Sequence, residues 1–175
     1  MDVPSITSER LELVSMSTEF MRACVEGNLA HAADLIGATL PASWPGAAVR
    51  TMRRRLRQLA ADPTEQPWLL RAMLTRTSPT TLVGRVGFHA PPDARGAVEV
   101  GYAVEPEYRR QGFASEAVEA LLDWAAREHG ISWFVASVGP NNLPSLALVK
   151  RVGFIRTGTR WDDEDGEELV FELHR

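Results

Sequence analysis

Hydrophobic and polar positions along the chain follow two periods, close to two residues and close to 3.6. Leu11-Glu12-Leu13-Val14 alternates as a first strand would. Residues 18–38 carry a helical pattern with Thr18 as the expected N-cap and Gly27 as a break, hence one or two helices. Prolines make residues 40–46 (LPASWPG) a loop. Over residues 47–61, Val49, Met52, Leu56 and Leu59 share one helix face, and Arg50, Arg53, Arg54 and Arg57 another. Strands are expected at residues 68–76, 82–89 and 98–104. A long helix over 112–129 ends at Gly130, and a buried-type strand follows over 133–138. A short helix over 142–151 stops at Gly153, and strands 154–161 and 168–173 close a hairpin around Asp165-Gly166.

The later half therefore reads strand–helix–strand–helix–strand. Two strands joined by a covering helix imply a parallel crossover, whereas the earlier strands are close enough to be antiparallel neighbours. The expected fold is a mixed α/β sheet with helices on both faces, in one domain over residues 1–175.

Composition narrows the chemistry. A chain of 175 residues with 45% hydrophobic and 24% charged positions can bury a core without cross-links. The single cysteine, Cys24, excludes an internal disulfide and any multi-cysteine metal site, and no metal is expected. A net charge of −4 argues against a general nucleic-acid binder. The N-terminal MDVPSITSERLEL lacks the cationic and apolar regions of a signal peptide. The longest uncharged run, residues 130–149, is broken by Pro140 and Pro144, so no membrane partner and a cytoplasmic location are expected.

The informative stretch is residues 99–114, EVGYAVEPEYRRQGFA. A strand ends near Val104, and Arg109-Arg110-Gln111-Gly112-Phe113-Ala114 opens a helix. Small residues at Gly112 and Ala114 let backbone N–H groups approach a ligand. The helix start adds unpaired donors and a positive dipole end, and the arginines add charge. The natural guest of such a cradle is a pyrophosphate. Alone, the pattern also fits an ordinary basic helix start. Thirty positions after Gly112, however, Asn142-Leu143-Pro144-Ser145 opens a second helix, which closes on Gly153-Phe154.

Strand, R-x-x-G-x-A, helix, strand, N-x-x-S, helix, G-F: in this order the chain resembles the GNAT superfamily of acetyl-CoA-dependent N-acetyltransferases. The motifs cover residues 98–154 and extend loosely to nearly the whole chain. Many members carry a tyrosine seven residues after the asparagine, but here that position is Val149. The N-terminal R-L-E-L, the E-x-G-Y of Glu99 to Tyr102 and the serine at 145 look like the ribosomal-protein N-terminal (RimJ/RimL-like) branch. The resemblance implies the GNAT fold, a mostly antiparallel sheet of six to seven strands splayed at the cofactor site. It implies acetyl-CoA as donor, a primary amine (small molecule or protein N-terminus) as acceptor, direct transfer and a possible homodimer. Succinyl-CoA as donor, or a binding module without turnover, are the alternatives.

Carried over residue by residue, the resemblance makes Glu99 the base and Ser145 the acid. Tyr102, Ala103, Val104, Arg109, Arg110, Gln111, Gly112, Phe113, Ala114, Asn142 and Ser145 become the cofactor-binding set. Each has a plainer reading: Glu99 as a solvent-facing strand carboxylate, Ser145 and Asn142 as helix-capping groups. Trp44 and His89 are candidates for the acceptor pocket, Trp44 alternatively packing under its loop. Glu105 and Glu107 read as exposed turn carboxylates. The arginines at 50, 53, 54, 55 and 57 read as a solvated helix face or as a contact for an acidic acceptor, RNA or a carboxylate-bearing acyl group. The acidic run from Asp162 to Glu168 reads as a polar hairpin tip or as an attractor of cations. The two runs point to opposite acceptors.

Overall fold

The computed structural model describes residues 3–164 and 166–175. Asp165, expected in the closing hairpin turn, lies outside the described residues. The strands are β1 (Ile6–Thr7), β2 (Leu11–Ser15), β3 (Arg71–Thr75), β4 (Leu82–Phe88), β5 (Ala97–Val104), β6 (Trp133–Val138), β7 (Ile155–Asp162) and β8 (Gly166–His174). The helices are α1 (Thr18–Glu26), α2 (Leu29–Ile36), α3 (Ala48–Ala61), α4 (Phe113–His129) and α5 (Leu143–Val152). All eight strands join one sheet in the order β1-β2-β3-β4-β5-β6-β8-β7. Every neighbouring pair is antiparallel except β5 and β6, the pair joined through α4.

Three local expectations are corrected. The sheet has eight strands rather than six to seven, because β1 is a two-residue strand too short to show a period. The N-cap of α1 is Ser17, whose hydroxyl accepts from the Phe20 N–H, and not Thr18. The strand expected at residue 68 begins at Arg71. Pro63–Trp68 instead winds into a 3₁₀ turn, with Asp62 accepting from the Thr64 N–H and Pro63 removing a donor. Gly27 does divide the early helices, at φ 80°.

Each face of the sheet buries its own core. Along β3, Ala72 and Leu74 face a cluster with Phe20, Met21, Trp44 and Met52, while Met73 faces one with Leu13, Val118, Leu121 and Phe134. This is the two-residue period of a strand buried on both sides. Among the described residues, no helix is long and apolar enough to cross a membrane.

The start of α4 is latched to the N-terminal strands. Glu116, in its first turn, accepts from the Ser8 hydroxyl, the Arg10 N–H and the Arg10 guanidinium, each at 2.7 Å. Arg10 also donates to the Gln111 carbonyl at 2.9 Å and lies 4.6 Å over the Phe113 ring. Burial alone would raise the Glu116 carboxyl, but these donors hold it below its ordinary 4.5. Its contribution to stability is therefore full above pH 4.5 and lost as pH falls through the lowered folded value. Glu116→Gln should lower the unfolding free energy at pH 7 by about 1–3 kcal/mol. Urea titrations should show the gap closing in acid; a gap of the same size there would assign the loss to packing.

Candidate active site

Strands β5 and β6 pair over only three positions, Ala97 with Trp133, Val98 with Phe134 and Glu99 with Val135. Beyond them each strand stays with its outer neighbour. Val104 of β5 is still opposite Gly84 of β4, and Val138 of β6 is opposite Leu169 of β8. The two strands therefore part, and the N-terminus of α5 stands at the opening. Asn142 caps that helix, its side-chain oxygen accepting from the Ser145 N–H at 3.2 Å, with Pro144 in the first turn.

A cavity of about 570 Å³ occupies one side of the opening. Tyr102, Ala103, Val104, Arg109, Arg110, Gly112, Phe113, Ala114, Asn142 and Ser145 all line it. Gln111, expected among them, does not; its carbonyl is turned to Arg10. Arg110 (φ 59°) and Gly112 (φ 82°) both take the left-handed conformation that turns the chain into α4. A Cβ on Gly112 would meet Arg10 Nη2 at 3.3 Å. Arg151 of α5, bonded to the Ser115 hydroxyl, adds a third guanidinium that the motif reading missed.

A second cavity of about 380 Å³ shares Tyr102, Asn142 and Ser145 with the first. Its other walls come from α3 (Arg50, Thr51, Arg54, Arg55), β4 (Arg85, Gly87, Phe88), His89 and Gly101, and from Ser137 and Glu168. The two cavities thus meet at the parted strands, one basic and small-residue-lined, the other facing α3. The Tyr102 hydroxyl lies 3.5 Å from the Ser145 carbonyl, and burial pushes its pKa up.

The model of the acetyltransferase (GNAT) domain matches residues 17–155. This chain belongs to the GNAT acetyltransferase family. YjdG, an uncharacterized N-acetyltransferase of Bacillus subtilis, is 35% identical over 74 residues, 42% of this chain and 44% of that protein. The chain spans about half the length, or less, of the curated relatives it matches. Among solved structures, the ribosomal-protein-S5-alanine acetyltransferase of Vibrio fischeri superposes with a TM-score of 0.67 at 16% identity, over 98% of this chain and 96% of that one. RimL, a ribosomal L7/L12 α-N-protein acetyltransferase solved with coenzyme A, does so at 0.67 and 20%, over 98% of each chain. At these identities the likeness is one of fold.

Within this GNAT domain, Glu99 is not among the residues lining the second cavity. Arg160 of β7 grips both its oxygens, at 2.7 and 2.8 Å, and His89 Nδ1 stands 3.5 Å from Oε1. Burial would raise the Glu99 carboxyl, but the Arg160 hydrogen bonds and the His89 charge outweigh it, so its pKa is lowered. His89 does line the cavity. A Cβ on Gly101 would lie 2.6 Å from its Nε2, so only glycine leaves the imidazole this seat. Burial lowers the His89 pKa below 6.5, Glu99 opposes this, and Arg55, Arg54 and Arg160 add to it. The imidazole is thus neutral at pH 7.

Other sequence candidates move. Trp44 is 3% exposed and packs against Phe20, its indole N–H 3.3 Å from the Cys24 sulfur; it lies outside the cavity beside His89. Glu105 is buried rather than exposed and accepts from the Ser43 hydroxyl at 2.6 Å. Glu107 accepts from Ser43 as well, so the pair ties the loop at residues 40–46 to the strand end. Arg55 is not on a solvated face: it is 5% exposed and donates to the His89 carbonyl at 2.8 Å. A hydrophobic helix position held by arginine was the one signal that could have exposed it.

NMR titration should put the His89 pKa below 6.5, and Glu99→Gln should lower it further, because a carboxylate that favours the imidazolium is removed. A rise in the variant would mean that the two groups do not interact.

Proposed function

We propose that the chain transfers an acetyl group from acetyl-CoA directly to a primary amine. The observation that carries this reading is the meeting of two cavities at Tyr102, Asn142 and Ser145, where β5 and β6 part. The first cavity suits the donor. Arg109, Arg110 and Arg151 offer charge to phosphates, and the left-handed turn at Gly112 brings N–H groups and a helix N-terminus with it. The free edges of β5 and β6 offer backbone groups to an amide-bearing arm. The second cavity suits the acceptor.

An alkylamine attacks a thioester only as the neutral species, so it must lose a proton. In this reading His89 takes that proton at Nε2, with Glu99 behind Nδ1 and Arg160 holding Glu99. Glu99 is then a positioning residue rather than the base itself. The new N–C bond forms as the C–S bond breaks, and the second proton of the attacking nitrogen passes to the leaving sulfur. Ser145 donates a hydrogen bond to the leaving thiolate, whose pKa of about 8.5 asks for little more. The backbone N–H groups of Tyr102 and Val104, on the edge of β5 away from β4, face the developing oxyanion. Cys24 is buried in the core with a raised pKa, which supports transfer without a cysteine intermediate.

Free-thiol release from acetyl-CoA across a panel of amines tests the reading. Amine-dependent release is the expected result. Silence with coenzyme A binding intact would leave a binding module.

His89→Ala should lower kcat by about 10²–10⁴-fold, and the wild-type kcat should fall in acid only below pH 6.5. An unaffected kcat in His89→Ala beside a collapsed one in Glu99→Gln would return the base role to Glu99. Gly112→Ala should weaken coenzyme A binding about tenfold, since a side chain in the left-handed region costs about 1–2 kcal/mol. Isothermal titration would show it.

A further inference from the structure

The acceptor side of the site has a strongly uneven charge. Four arginines line it, Arg50, Arg54 and Arg55 from α3 and Arg85 from β4, against one carboxylate, Glu168, among the described residues. That carboxylate is already engaged, 2.9 Å from the Arg160 guanidinium. The two charged runs of the sequence, which pointed to opposite acceptors, face each other here: Arg50 lies 3.7 Å from Glu164 of the hairpin tip. Arg85 lies 3.6 Å from Glu105, which Ser43 shares. Arg54 is exposed and makes no ion pair with a carboxylate among the described residues.

Arg55 is the unusual member. Its guanidinium is buried yet bonds only neutral acceptors, the Gln58 side-chain oxygen and the His89 carbonyl, both at 2.8 Å, and its Nε has no partner. Burial then pulls its pKa down to about 10, with Arg54 adding to the effect, so it remains charged at neutral pH. A buried cation without an ion pair is costly unless something of opposite charge completes it. Glu65 is the smallest of the influences on it and is itself bonded to the Gln58 amide. The fork of a guanidinium matches carboxylate and phosphate oxygens, and neighbouring cations exclude a positively charged guest.

We infer that the acceptor amine carries an anionic group, a carboxylate or a phosphate, which docks on Arg54, Arg55 and Arg85 of this cleft. Since Arg55 is bonded to the carbonyl of His89 itself, the anion sits beside the residue that faces the amine. The anion and the amine are therefore a few bonds apart in the acceptor. This rests on the reading of the second cavity as the acceptor site. Polyamines and other polycations are disfavoured, because among the described residues the one carboxylate of the wall, Glu168, is already paired with Arg160.

The test uses the full chain, saturating acetyl-CoA and matched acceptors: O-phosphoethanolamine against ethanolamine, β-alanine against β-alaninamide, and aspartyl-alanyl against lysyl-alanyl peptide amides. The anionic member of a pair should have a kcat/KM higher by roughly tenfold or more, with the advantage shrinking in high salt. The pair that discriminates most tells phosphate, free carboxylate and acidic peptide apart. Arg54→Gln should cost the anionic member more than the neutral one. Equal or better turnover of the neutral or cationic members would overturn the inference and leave acetyl transfer standing. If no acceptor releases thiol, acetyl transfer falls, and binding to the coenzyme A-loaded protein decides the inference separately. O-phosphoethanolamine should then shift the His89 NMR resonances where ethanolamine does not; no shift with either would overturn it.

Discussion

Much of this molecule depends on the shortness of one strand pairing. β5 and β6 share three registered positions and then separate, because β4 holds one to Val104 and β8 holds the other to Val138. Strand edges seldom remain unpaired in a protein interior, since each free N–H and C=O costs energy. Here the cost is met at an opening accessible from both sides, where a ligand or water can reach those groups. The capped start of α5 stands at the same opening, so Asn142 and Ser145 come to it without strain.

Both sides of the opening are held by contacts distant in sequence. On the donor side, Arg10 joins β2 to the first turn of α4 and turns the Gln111 carbonyl away from the cavity. On the acceptor side, Arg55 fixes the carbonyl of His89, Gly101 leaves room for its ring, and Glu99 faces Nδ1 under the grip of Arg160. Residues from α3, β5 and β7 thereby bear on a single imidazole. Removing one of these charges shifts the balance felt by the others, which is why the site cannot be apportioned residue by residue.

The readings that survived best came from local rules. The Gly27 break, the Asn142 cap and the small residues at 112 and 114 follow from backbone sterics and orphan N–H groups, which depend on near neighbours alone. Ten of the eleven residues expected around the cofactor line one cavity, because a helix start and a strand end place consecutive residues together. The misses share one cause. Glu105 and Arg55 were read as exposed from sequence neighbours, yet each is buried by a segment remote in the chain. Ser43 reaches Glu105 across 62 positions, and Arg55 reaches the His89 carbonyl across 34.

The sequence by itself determined the order of elements, the parallel crossover, the glycine turn into α4 and membership of the GNAT family, because period, capping and glycine placement are local properties of the chain. Tertiary structure decided where charge resides. It set the acidic hairpin tip against the arginine face of α3, put Glu99 behind His89, and buried Arg55 among neutral partners. Electrostatic energy depends on distance and solvent exposure, and neither exists until remote segments pack together.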